Sequence, residues 1–192
     1  MTKYILHGGA TGKKTEDNKK FFFEMTNGLP EPVNVLCVYF AREKSLWPEL
    51  FVEDKINFSS TAPDKILNFV MAEDATDILV EQIKKADVIY LRGGETSMLQ
   101  ATLGKVKNLR ELWQGKVVAG SSAGAYVLSA HYYSSRQGNQ IVRGFGLLPI
   151  KILCHYAETD PDRVGRLKLL KEYGEELKIY AIPEEKFFVI EQ

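Results

Sequence analysis

The stretch Val117-Val118-Ala119-Gly120-Ser121-Ser122-Ala123-Gly124-Ala125 has the residue types and spacing that nucleophilic chemistry needs. Within it, Gly120 to Gly124 matches G-x-S-x-G with Ser122 at the centre. Two β-branched residues and an alanine before the motif read as the end of a buried strand, and Ala125 to Ala130 after it reads as a helix. A sharp strand-to-helix turn pushes a serine hydroxyl out above the sheet edge, with a helix N-terminus beneath it. Such a turn holds the serine in a strained conformation. It also needs small neighbours, because a side chain at Gly120 or Gly124 would collide with the adjoining strand or helix. The same residues also suit a turn with no chemistry, so the rest of the chain has to supply the partners.

A serine nucleophile needs a base in hydrogen-bond reach, and the base needs an orienting group. The chain has three histidines. His131 lies nine residues past Ser122 along the expected helix, roughly 13 Å of travel at the helical rise, which takes it out of range. His7 ends the first apolar run beside two glycines, a setting equally suited to a polar surface residue. His155 ends the run Ile152-Leu153-Cys154, as a base carried on a strand end should, and is the choice. No Asp or Glu stands between Ser122 and His155, so the order serine, acid, histidine is closed to this pair. Glu158 and Asp160 follow His155 too closely to do more than decorate its loop. Glu184 and Glu185 sit in a turn between Ile179–Ile182 and Phe187–Ile190, where either carboxylate can reach the imidazole from outside or simply decorate a surface turn.

The elements that must carry these groups alternate. Strands are expected at Tyr4–His7, Val33–Phe40, Lys65–Ala72, Val88–Leu91 and Lys116–Ala119. Helices are expected at Glu16–Met25, Thr76–Ala86, from Ser97, and at Asn108–Trp113. This predicts an α/β fold with a mostly parallel sheet flanked by helices on both faces. Sites in such sheets form at the C-terminal strand ends, where Gly8-Gly9, Arg92-Gly93-Gly94 and the Ser122 turn all fall. Beyond the turn, Tyr132-Tyr133, Ile141-Val142 and Lys151–Cys154 read as short strands, followed by a charged helix over Asp162–Leu177. Ala41–Asp64, with Trp47, Phe51 and Phe58, reads as an irregular stretch of the length that holds a short helix or has a functional role: either its aromatic residues cover the strand-end edge or they pack under a surface helix.

Composition narrows the function classes. With 192 residues, 45% of them hydrophobic, the chain suits one domain over 1–192. Lys+Arg 25 against Asp+Glu 25 gives no net charge, which argues against a nucleic-acid or anionic-membrane partner. Cys37 and Cys154 lie in apolar runs, as buried thiols of a reducing compartment do. No span reaches transmembrane length, and cytoplasm is the default expectation. Gly8 to Lys14 fails as a phosphate loop because Gly8 and Gly12 are separated by three residues and Lys13 is followed by lysine. No cofactor or metal is expected.

These residues carry a resemblance. Leu6-His7-Gly8-Gly9, Tyr90-Leu91-Arg92-Gly93-Gly94-Glu95-Thr96, Gly120 to Ala125, Gly144-Phe145-Gly146-Leu147-Leu148-Pro149, Cys154-His155-Tyr156 and Ile182-Pro183-Glu184 resemble the peptidase E and cyanophycinase family of serine peptidases. The likeness covers nearly the whole chain. It implies a class I glutamine-amidotransferase-like, flavodoxin-like three-layer fold. It implies Ser122 as nucleophile, His155 as base, Glu184 as acid, an oxyanion hole from the Gly94 and Ala123 N–H groups, and a short peptide such as an Asp-X dipeptide as substrate. Glu95 stands where the family more often has a residue such as asparagine, and Arg92 where an apolar or small residue is more common. Arg163, with Arg166, is the candidate partner for a substrate carboxylate, the alternative for each being a solvated charge on the helix. The rival readings are an esterase or amidase using the same serine, and an amidotransferase-like binding module without turnover.

Only Ser122 has glycine at both minus two and plus two. Peptide mapping after fluorophosphonate treatment should therefore find the adduct on Ser122. An adduct on Ser121, with Ser122→Ala still active, contradicts the register.

Overall fold

The computed structural model describes residues 1–192. Its first five strands, β1 (Lys3–His7), β2 (Val33–Val38), β3 (Leu67–Met71), β4 (Val88–Leu91) and β5 (Val117–Ser121), alternate with helices. These helices are α1 (Glu16–Thr26), α2 (Trp47–Thr61), α3 (Thr76–Lys85), α4 (Thr96–Leu103) and α5 (Leu109–Trp113). After the short α6 (Ala123–Leu128) come β6 (Ser129–Ser134), β7 (Gln140–Arg143), β8 (Leu148–Cys154), α7 (Pro161–Glu172), β9 (Lys178–Ile182) and β10 (Phe187–Glu191). The main sheet has the order β10-β1-β5-β4-β2-β3 and is parallel except for β10. This is the α/β architecture the alternation of elements predicts.

Alternate residues of β4 face opposite layers. Tyr90 is ringed by Phe21 and Phe22 of α1 and Phe58 of α2, whereas Leu91 packs against Gly124 of α6. Register sets the strand ends level: His7 pairs with Ser121, and Leu91 with Gly120. The three glycine-bearing loops therefore open on one edge, as expected.

Four late strands form a second sheet, β7-β6-β8-β9. Every residue of α6 is buried, because this helix is wedged between β1, β4 and β5 of one sheet and β6 and β8 of the other. Here the expectation of a longer helix needs correction. Residues 129–134 pair with β7 and β8, so His131 sits on a strand and not on a helix leading away from Ser122. The last two strands also divide. β9 pairs with β8 and β10 with β1, so the Glu184-Glu185 turn carries the chain from one sheet to the other.

Ala41–Asp64 is not an irregular cover. A 3₁₀ turn at Lys44–Leu46 leads into the 15-residue α2, with Pro48 in its first turn, where proline is tolerated. Trp47, Phe51, Asp54 and Phe58 follow a helical stripe, and Asp54 at its centre hides the apolar period from the sequence. That carboxylate is fully buried, pairs with Arg92 and accepts from the Tyr39 hydroxyl at 2.9 Å. Arg92 also pairs with Glu53 at 2.8 Å. Burial pushes Asp54 up to about 6, with Arg92 and Tyr39 pulling the other way. The aromatic residues of α2 thus pack under the sheet, and its acids fasten the loop after β4.

Removing one partner of a buried pair leaves an uncompensated charge, which typically costs about 3–5 kcal/mol. Arg92→Met should lower unfolding free energy by that order in urea titrations. Arg92→Met together with Asp54→Leu should recover part of the loss.

Candidate active site

Ser122 caps α6 at φ 49 and ψ −103, a strained conformation for a residue with a side chain. The close approach that imposes it is readable from the flanking glycines. A Cβ on Gly120 would lie 2.3 Å from the Gly124 carbonyl carbon, and one on Gly124 would lie 2.2 Å from the Leu91 oxygen. The Ser122 N–H donates to the His7 carbonyl at 2.9 Å, which ties the turn to the end of β1.

His155 follows β8 with φ 55, and its N–H donates to the Gly8 carbonyl at 3.0 Å. Its Nε2 lies 2.9 Å from Ser122 Oγ, and its Nδ1 lies 3.0 Å from Glu184 Oε1. The Glu184 turn is held from both sides: Tyr156 N–H donates to the Ile182 carbonyl, and Glu185 N–H to the Gly9 carbonyl. Hydrogen bonds from His155 and then Lys13 hold the Glu184 carboxyl below the usual range. An ionised carboxylate only accepts, so Nδ1 donates to Glu184, and in a neutral imidazole Nε2 is then the acceptor facing the Ser122 hydroxyl. The choice between the two glutamates is geometric. Glu184 meets the imidazole, whereas Glu185 turns to Lys13 at 3.0 Å. Lys13, in the loop that mimics a phosphate-binding loop, also reaches Glu184 Oε2 at 2.9 Å.

The backbone N–H groups of Gly93 and Gly94 donate to no atom of the chain. Ala123 is the first residue of α6, where an N–H has no intrahelical acceptor. Two clefts meet at Ser122, His155, Gly94 and Arg136. One, about 320 Å³, extends to Glu95, Arg163 and Arg166; the other, about 250 Å³, extends to Thr11, Arg42 and Arg92. Arg163 Nε stands 3.8 Å from Asp160, the cap of α7. Arg166 pairs with Asp162 and lies over the Tyr133 ring. Glu95 caps α4 and pairs with Arg136 at 3.1 Å.

The imidazoles of the other two histidines make no hydrogen bond to Ser122. His131 stacks edge-on against Tyr173. His7 is fully buried, its Nε2 2.9 Å from Asn18 Oδ1 and its Nδ1 accepting from Gly9 N–H. Sequence reasoning did not single out Arg42, Arg136 or a role for Lys13. Only strand-end placement was available to find them, and Arg136 lies in a loop of the second sheet.

A model of peptidase family S51 matches residues 5–192. The chain belongs to peptidase family S51. It is a serine-type peptidase. A solved peptidase from an acI-B1 Actinobacterium is similar at 23% identity and TM-score 0.67, over 99% of this chain and 83% of that one. A putative peptidase E protein from Listeria monocytogenes EGD-e is similar at 22% identity and TM-score 0.69, over 99% and 94%. At those identities the likeness concerns the fold. No curated protein matches the chain. No helix is long and apolar enough to cross a membrane.

Burial lowers His7 to about 4, against roughly 6.5 in an unfolded chain. The unfolded state takes up the proton first, so this contribution to stability is full above about pH 6.5 and is lost as pH falls toward 4. Urea midpoints should drop over that window, and His7→Gln should flatten the drop. An unchanged slope in the variant contradicts the assignment.

Proposed function

We propose that this family S51 peptidase hydrolyses short peptides through a Ser122–His155–Glu184 triad. The observation that carries the reading is the continuous pair of contacts, 2.9 Å from Ser122 Oγ to His155 Nε2 and 3.0 Å from His155 Nδ1 to Glu184 Oε1. Ser122 attacks the scissile carbonyl while His155 takes its proton, then returns it to the departing amine. Water attacks the acyl-enzyme by the same route in reverse, with His155 again as base. Glu184 fixes the imidazole tautomer and stabilises the imidazolium that forms.

The Gly94 and Ala123 N–H groups receive the developing oxyanion, each worth on the order of 3 kcal/mol in such sites. Arg163 takes a carboxylate on the acyl side of the substrate, such as an aspartyl side chain, which makes Asp-X dipeptides the first substrates to try. The preference for short substrates rests on the size of the two clefts, about 320 and 250 Å³, room for a few residues and not for a folded chain. An esterase or a silent binding module has no observation in its favour over this reading.

Glu184→Gln should cut kcat by several powers of ten, on the order of 10⁴ where a triad acid was replaced by its amide in a chymotrypsin-type enzyme. Glu185→Gln should cost less than about tenfold, since its partner is an exposed lysine. Steady-state kinetics on a dipeptide checks both; the reverse ranking places the acid at Glu185.

A further inference from the structure

The two clefts that meet at Ser122 divide the cations unequally. Arg136 has Glu95, Arg163 has Asp160 and Arg166 has Asp162. Arg92 has both Asp54 and Glu53. Arg42 alone among these arginines has no carboxylate. Its Nε donates to the Gly93 carbonyl at 2.6 Å, and its two terminal nitrogens donate to nothing in the chain. No Asp or Glu lines the cleft that Arg42 shares with Ser122; Glu53, close to Gly12, is taken by Arg92, and Glu95 by Arg136. Arg42 is exposed, yet partial desolvation and the like charges of Arg92 and Arg136 pull it below the ordinary guanidinium range, so an anion placed there relieves repulsion already present.

Position completes the argument. A Cβ built on Gly94 would lie 2.9 Å from Arg42 Nε, and one on Gly93 would lie 3.2 Å from Ser122 Cβ. The free guanidinium edge therefore stands across one short loop from the nucleophile. In the proposed reaction the acyl side lies toward Arg163, which leaves the Arg42 cleft for the departing amine. One residue spans at most about 3.6 Å, so the α-carboxylate of a dipeptide's second residue falls within reach of this cleft.

We propose that Arg42 is the anchor for a carboxylate on the leaving residue, in the first instance the free C-terminal carboxylate of a dipeptide. The anchor makes the enzyme a reader of chain ends: the acyl cleft selects the residue that is cut, and Arg42 selects substrates that end one residue later. This inference rests on the reading of Ser122 as nucleophile. Bidentate guanidinium recognition of a carboxylate is planar and charge-assisted, and a hydrogen bond to a charged group is worth about 1.5–3 kcal/mol, on the order of ten- to hundredfold in kcat/KM.

The test compares one dipeptide as its free acid and as its C-terminal amide, using the full chain and the Arg42→Gln and Arg42→Lys variants. The readout is the acid-to-amide ratio of kcat/KM, in which any general loss from a shifted Gly93-Gly94 loop cancels. The unaltered protein should favour the acid by roughly ten- to hundredfold. Arg42→Gln should bring the ratio near unity, and Arg42→Lys should keep part of it. A third substrate, an amide with glutamate in the second position, separates the source of the carboxylate. If Arg42 is the anchor, rescue of this amide appears only when Arg42 is present. A ratio near unity in the unaltered protein, or a ratio that survives Arg42→Gln, overturns the anchor and leaves the triad standing. Absence of any Ser122-dependent turnover of either substrate overturns the triad reading, and the anchor with it.

Discussion

The site depends first on how closely α6 approaches β5. With no side chain at Gly120 or Gly124, the helix starts directly on the strand end, and Ser122 is forced to φ 49 with its hydroxyl clear of the sheet. The same closeness lets α6 act as a fully buried wedge between two sheets. Because the second sheet is seated on that wedge, the end of β8 arrives opposite the end of β5, and His155 meets Ser122. The turn from β9 to β10 crosses from one sheet to the other at this junction, which brings Glu184 behind the imidazole. Strain at Ser122 is therefore held by packing on both sides, the condition under which a sparsely populated backbone conformation persists.

Charge is arranged around this junction with the same economy. The buried Asp54–Arg92 pair ties α2 to the loop that presents the Gly93 and Gly94 N–H groups. His7 stays neutral under the Gly8-Gly9 loop, where it accepts from Gly9 and meets Asn18. These polar groups lie beneath the loops, so the loops are positioned by interior contacts that solvent does not screen. An oxyanion is stabilised most by donors that need no reorganisation when charge develops, and loops fastened from below supply such donors.

Much of this was legible in the chain itself. Ser122 followed from the glycine register, His155 from its place after an apolar run, and the parallel sheet from the alternation of elements. From the residues alone the acid was legible only as a pair, Glu184 or Glu185, with the resemblance pointing to Glu184, because a turn's register depends on which strands flank it, and β9 and β10 belong to different sheets. α2 was legible only as one of two readings, because Asp54 occupies the centre of its apolar stripe, a choice explained by Arg92, 38 residues away. His131 was misplaced because a helix buried on all sides carries no amphipathic period to mark where it stops. Arg42 and Arg136 gave no local signal, since their significance lies in which of the cations around the clefts are paired with carboxylates and which is not.

The central claim is that the Ser122 hydroxyl, the His155 imidazole and the Glu184 carboxylate form one hydrogen-bonded relay with the proton on Nδ1. The most direct measurement is NMR of ¹⁵N-histidine-labelled protein, observing the imidazole N–H proton of His155. The account predicts a low-field proton coupled to Nδ1 of His155, protected from solvent exchange, lost in Glu184→Gln and retained in Glu185→Gln. A neutral His155 with its proton on Nε2, or an Nδ1 proton that persists unchanged in Glu184→Gln, would contradict it.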